Sequence, residues 1–410
     1  MATGTPEPPA LAGQKPAGHP LAGLAPALHR VARLRWLLCL VGAAQSAATV
    51  MNGAIQPADL VRFAAAGDLI VHGRLDRVYA DPWMQAGPLE LLASWAFFPF
   101  DHQHVRRYVV TGPDGQIWLR LLTGAAIVAA VLLAVRCLRS TLDLPRSAPA
   151  ELLAGLTAVL LAVPYQFWMG GHLAQTGAPV MWVAGACLVV RGRTTSAGLV
   201  LGLATGWEPW GLLAGGILLA ERAPARLLAG CAALTVGALA CYLPFVVTGQ
   251  FAMFGLDWQI RPGTPVHALF PGLTGFGWPL RLLQGAAAGA AGAATALLLG
   301  RRRDLVWAAP LAVLVVRLLL DPLILSYYWG PFLIAVVAGL GLLHPHCSPV
   351  RVALTISLAA VPLIRFRYAP GLEVPLLLAA LVLLAALTLR LRREETVAPQ
   401  GITQPAARLV

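Results

Sequence analysis

Twelve apolar runs joined by arginine-bearing links constrain this chain more than any other feature. They fall at about 34–55, 117–136, 151–169, 176–190, 197–205, 208–220, 225–247, 279–300, 305–320, 327–343, 350–364 and 371–390. The full-length runs approach the roughly 20 residues that a helix needs to cross the hydrocarbon core. A soluble fold could not cover so much apolar surface. Only 12% of the residues are charged, against about 25% in a soluble domain. The chain is therefore expected to be all-α and polytopic, with about twelve membrane helices (10–13). These form one integral-membrane domain over residues 31–390.

The net charge of +12 would suggest nucleic acid in a soluble protein. Here most arginines lie in short links, so topology explains them better and no nucleic-acid partner is expected. Arg30, Arg33 and Arg35 before the first run argue for a cytoplasmic N-terminus. With 197–220 counted as a pair of short helices, five further clusters fall inside: Arg136/Arg139/Arg146, Arg191/Arg193, Arg222/Arg226, Arg301 to Arg303, and Arg390/Arg392/Arg393. A single helix broken at Gly206-Trp207-Glu208-Pro209 would put Arg222 and Arg226 outside and reverse everything downstream. Both termini are thus expected in the cytoplasm, with residues 1–30 and 391–410 as disordered tails. Lys15 is the only lysine, and that bias with heavy Ala, Gly and Leu use suggests a GC-rich bacterial genome and a plasma-membrane location.

Two outer loops are long, 56–116 and 248–278. The first is too rich in Trp, Phe and Leu for disorder. Its Gly87–Phe98 segment suits an interfacial helix packed over the bundle. The six cysteines show no CxxC spacing and read as small buried hydrophobes. The pairs His102/His104 and His344/His346 lack further ligands nearby, so no metal site is read from them. No nucleotide-binding motif and no internal repeat of fixed period occurs.

Polar groups gather at the outer ends of the runs. Asp59 stands just past the first run, where a carboxylate near hydrocarbon is costly and marks a functional site by default. It is a candidate general base; a helix cap or an ion pair with Arg62 would also account for it. Arg317 interrupts an apolar helix one turn before Asp321. It could hold a lipid phosphate through its bidentate fork, or pair with Asp321. His172, Gln175, Glu208, Tyr327 and Tyr328 complete the outer set of candidate substrate-binding residues, with Asp68, Asp76, Asp81, Asp257, Arg261 and His267 in the loops. His172 in such a setting is more often a satisfied structural histidine than a ligand.

The run Asp59-Leu60-x-x-Phe63-x-x-x-Gly67-x-x-Ile70-x-x-Gly73, then Tyr79 and Gly87-Pro88-Leu89, resembles the first outer loop of the GT-C superfamily of membrane glycosyltransferases. It is most similar to the bacterial polyprenyl-phosphate-mannose-dependent transferases. Ser196-Ala197-Gly198-Leu199 through Gly202-Leu203-Ala204 resembles that family's short helical pair. The chain departs from the family where Glu208 stands near a common lysine, and where Ser326-Tyr327-Tyr328 replaces a histidine-bearing loop. The resemblance implies a hexosyl or pentosyl transferase working on the extracytoplasmic face, with Asp59 as base. It implies a polyprenyl-phosphate sugar as donor, a lipid or glycan as acceptor, and no other cofactor, with a metal requirement left open. A lipid transporter or flippase, or an inactive relative, are the competing readings.

Overall fold

The computed structural model describes residues 30–51, 58–97, 113–344, 347–368 and 371–397. Every one of the twelve apolar runs contains helix, and no strand occurs among the described residues. A 3-10 turn over Arg33–Leu37 leads into α1 (Leu38–Met51). The first long loop contributes α2 (Ala58–Val71), α3 (Leu75–Val78) and α4 (Pro88–Phe97). Then come α5 (Pro113–Thr141), α6 (Ala148–Leu160), α7 (Val163–Gly170), α8 (Ala174–Val190) and α9 (Thr194–Leu203). A 3-10 helix over Pro209–Ala220 precedes α10 (Pro224–Thr248) and α11 (Pro265–Leu269). The chain closes with α12 (Trp278–Leu299), α13 (Leu305–Leu319), α14 (Gly330–Gly341), α15 (Pro349–Tyr368) and α16 (Glu373–Val397).

Proline marks many starts: α6, α7, α10, α11, α12 and α14 each carry one in the first turn, where its missing N–H costs nothing. Ser147 caps α6 by accepting from the Ala150 N–H.

Four helices are long and apolar enough to cross a membrane: Ile117–Thr141, Pro224–Thr248, Trp278–Leu299 and Glu373–Arg393. They expose large apolar side chains, such as Leu122, Leu228, Leu283 and Val382, rather than burying them. Water would penalise that surface and lipid would not, which is the pattern of a membrane protein. Shorter apolar helices fill the interior. In α13 every residue except Val316 and Leu319 is buried, against α8, α12, α14 and α16.

Residues 197–220 form a hairpin. Thr194 at the start of α9 donates to Glu221 just past the 3-10 helix at 2.9 Å, so the pair leaves and returns to one end. As 3-10, twelve residues reach about 24 Å, against about 18 Å as α-helix. Gly198 and Gly202, four apart on α9, lie where any Cβ would strike the α10 backbone at Gly230 and Leu234. That is the small-residue packing that lets membrane helices approach closely.

Several boundaries differ from expectation. The run 151–169 is two helices, broken at Ala162, which takes the left-handed conformation (φ 51°) ahead of Pro164. Helix α5 begins at Pro113, inside the expected loop 56–116. Helix α16 continues to Val397, because the Leu391-Arg392-Arg393-Glu394-Glu395 stretch read as tail is made of good helix formers. Cys137 and Cys231 are exposed on α5 and α10 rather than buried, and all six cysteines are free. His102, His104, His346, residues 1–29 and residues 398–410 lie outside the described residues.

Candidate functional site

Two glycines assemble the site. Gly87 donates its N–H to the Trp207 carbonyl at 2.8 Å and lies against the Thr205–Gly206 backbone where a Cβ could not fit. Gly67 lets α2 rest on the backbone of Leu91 in α4. Helix α4 is thereby wedged between α2 and the turn joining α9 to the 3-10 helix. Gly171 ends α7 in the left-handed region (φ 65°), which aims the following His172 at the same point. Asp59 from α2, Glu90 from α4, His172 and Glu208 consequently meet.

His172 is the hub. Its Nε2 lies 3.0 Å from Asp59 Oδ2, and a carboxylate there requires the hydrogen on Nε2, which donates. Its Nδ1 stands 4.0 Å from Glu90 Oε1 and 3.9 Å from Glu208 Oε1 and has no hydrogen-bond partner. The ring is stacked on Tyr327 at 4.4 Å and meets Phe63 edge-on. Glu90 is fully buried. Its Oε1 accepts the Ala174 N–H at 3.0 Å, at the N-terminus of α8, which favours negative charge. Burial, and next the Glu208 charge, push the Glu90 carboxyl well above the usual carboxylate range. Gln175 points its amide at Glu208, 3.5 Å away. Asp59 keeps 32% of its side chain exposed, so it is open to solvent.

A second cluster adjoins Glu208. Arg281 of α12 pairs with the buried Asp321 at 3.0 Å. Asp321 also accepts the Leu323 and Ile324 N–H groups. Burial opposes its charged form, but Arg281 and then Arg317 outweigh that and hold its carboxyl below the usual range. The Arg317 guanidinium lies over Trp210 at 4.5 Å and Tyr328 at 5.1 Å. Its Nη1 is buried without a hydrogen-bond partner.

An apolar groove of about 300 Å³ runs between α5, α7, α8 and α14, and His172, Gln175 and Tyr327 form part of its wall. A second apolar cavity, about 570 Å³, lies between the second long loop and α12 and reaches Gln284. Gln284 in turn donates to the Arg317 carbonyl.

Of the residues expected from sequence, Asp59, His172, Gln175, Glu208, Tyr327, Tyr328, Arg317 and Asp321 converge. Arg62 does not: it is exposed and stacks on Trp83 at 4.6 Å, away from Asp59. Asp68 pairs with His72, Asp76 with Arg77, and Asp81 accepts the Trp83 N–H. None of these three joins Asp59. Glu90 and Arg281 went unrecognised in the sequence. Each is a lone charge in an apolar stretch, Leu89-Glu90-Leu91-Leu92 and Leu280-Arg281-Leu282-Leu283, which is the signal that would have found them.

The arginine clusters meet at the opposite end of the helices. Arg35 and Arg136 hold Glu151; Arg139 donates to the Gly341 and Leu343 carbonyls; Arg191 holds Asp143; Arg301 reaches the Val189 carbonyl; Arg351 holds Asp304.

No protein-family model matches the chain, and no curated protein matches it in sequence.

Proposed function

We propose that the chain is a membrane glycosyltransferase. It moves a sugar from a polyprenyl phosphate to a lipid or glycan acceptor on the outer face of a bacterial plasma membrane. The observation that carries this reading is the Asp59–His172 contact of 3.0 Å beside an apolar groove that shares His172 in its wall. A base and a lipid channel meet at one point. The arginine network at the other end supports twelve crossings with both termini in the cytoplasm, by the positive-inside rule.

In this reading the isoprenoid tail lies in the groove between α5, α8 and α14. The phosphate faces Arg317, whose buried Nη1 lacks a partner. His172 orients Asp59 through Oδ2, leaving the other carboxylate oxygen for the acceptor. Asp59 takes the acceptor hydroxyl's proton, and that oxygen bonds to the anomeric carbon. The bond to the phosphate oxygen breaks, and the phosphate carries the electron pair away beside the arginines. A single displacement inverts the anomeric centre. The polar groups gather at one end of the bundle rather than halfway along its helices, which favours an enzyme over a transporter.

Glu208, where related enzymes place a cation, supports a second reading: an inactive relative acting as a scaffold. Transfer from a polyprenyl-phosphate sugar by the purified protein separates the two. Inverted product favours the enzyme, and full binding of donor without product favours the scaffold.

A further inference from the structure

We propose that Glu90, His172 and Glu208 form a binding site for a divalent transition metal of the Zn²⁺ type, with Asp59 orienting the histidine ligand.

Three donor atoms converge here from three elements, within 4.8 Å of one another. Their chemistry, one imidazole nitrogen and two carboxylate oxygens, suits Zn²⁺ or its neighbours better than Ca²⁺ or Mg²⁺, which take oxygen alone. The spacing agrees. Donors about 2.0–2.2 Å from Zn²⁺ stand about 3.4 Å apart in a tetrahedron and about 4 Å apart when opposite. His172 Nδ1 is 4.0 Å from Glu90 Oε1 and 3.9 Å from Glu208 Oε1.

A second observation, independent of the cluster's acidity, points to a cation. The His172 side chain is nine-tenths buried, and its Nδ1 has no hydrogen-bond partner. Asp59 engages Nε2, so a neutral ring carries a bare lone pair on Nδ1. That lone pair faces Glu90 Oε1 and Glu208 Oε1 at distances too long for a hydrogen bond to either. A proton on Nδ1 would draw one oxygen in to about 2.7–2.9 Å. Neither oxygen is that close. A metal ion would draw the three donors in by a few tenths of an ångström from these separations.

Charge balance leads the same way. Glu90 is fully buried, and among the described residues no arginine forms an ion pair with it. Arg317 and Arg281 act on Glu208, and Arg281 is also paired with Asp321. A cation bound here would offset the negative charge that the burial of Glu90 otherwise opposes. Asp59, His172 and the metal then form a carboxylate–histidine–metal triad, the usual way of fixing a ligating imidazole. The proposal stands apart from sugar transfer, because the site is defined by binding alone.

The test uses purified full-length protein in nanodiscs, stripped with chelator, then loaded with Zn²⁺ or with Co²⁺ as a spectroscopic stand-in. Metal is counted by mass spectrometry after gel filtration. One Zn²⁺ per chain is expected, and a Co²⁺ ligand-field spectrum showing nitrogen and oxygen donors. Asp59→Asn should weaken binding about 10–100-fold. Glu90→Gln, Glu208→Gln and His172→Ala should each weaken it further, while Asp76→Asn, in an exposed ion pair, should not. Wild-type protein that retains no stoichiometric metal overturns the proposal. So does undiminished binding in folded Glu90→Gln and His172→Ala. If those variants fail to fold, the wild-type Co²⁺ spectrum decides: no ligand-field bands, or bands with oxygen donors only, would sink the site.

Discussion

Asp321 is paired with Arg281 of α12, at 3.0 Å, and not with Arg317, its neighbour one turn earlier in the chain. The i,i+4 spacing suggested a local pair, yet the partner comes from 40 residues away. Arg317 is thereby released. Its guanidinium rests on two aromatic rings and keeps one nitrogen buried without an acceptor.

The two arginines should therefore fail differently. Arg281→Gln leaves Asp321 buried and unpaired, a loss of about 3–5 kcal/mol that thermal melting in detergent would register. Arg317→Gln should cost stability far less, yet weaken donor binding by about 2 kcal/mol or more, roughly thirtyfold. Lysine at 317 should rescue only partly, since a point charge lacks the fork. Equal destabilisation by both changes, with donor affinity intact, would place the phosphate elsewhere.

The Asp321 pair also sets an acid limit. Its carboxyl is held below the usual range in the folded protein. The stability it contributes is fully present above the unfolded value of about 3.9 and is lost as pH falls through the lower folded value. The melting temperature of the wild type should drop more steeply over that acid window than that of Asp321→Asn. Parallel curves would contradict the pairing.

How much of this was legible in the sequence depends on the range of the physics. The apolar runs were readable because hydropathy is local, and each returned as helix. Asp59 and Arg317 were readable because a charged group costs so much beside lipid. Which of them touch was not readable. The Asp59–His172 contact spans 113 residues, and it depends on Gly67 seating α2 on α4, Gly87 seating α4 on the 205–207 turn and Gly171 turning the chain into His172. Arg62 was placed beside Asp59 by sequence proximity alone. It lies about one turn further along α2, where Trp83 offers it an aromatic face.

The groove can be filled from its lipid side. Ala130 and Ala134 of α5 line it and are exposed. Ala130→Trp and Ala134→Trp should raise the KM for a polyprenyl-phosphate donor while leaving stability unchanged within about 0.5 kcal/mol. An unaltered KM would mean that the tail lies elsewhere, with the cavity beside Gln284 next in line.

Sidedness has its own check. Arg193, beside the arginine network, and Pro262, in the second long loop, are both exposed. With the native cysteines replaced, Pro262→Cys should react with an impermeant maleimide in intact cells. Arg193→Cys should react only after permeabilisation. The reverse result would invert the topology and put the site on the cytoplasmic face.

The most direct measurement is sugar transfer by purified Asp59→Asn protein. Asparagine keeps the size of the side chain and can still meet His172, but it accepts no proton. Turnover from a polyprenyl-phosphate sugar should fall by about 10²–10⁴, with donor binding and melting temperature close to wild type. The same substitution at Asp68, Asp76 or Asp81 should cost far less, since none of these reaches His172. Near-normal turnover by folded Asp59→Asn protein would contradict Asp59 as the base, and with it the transfer mechanism built on the Asp59–His172 pair.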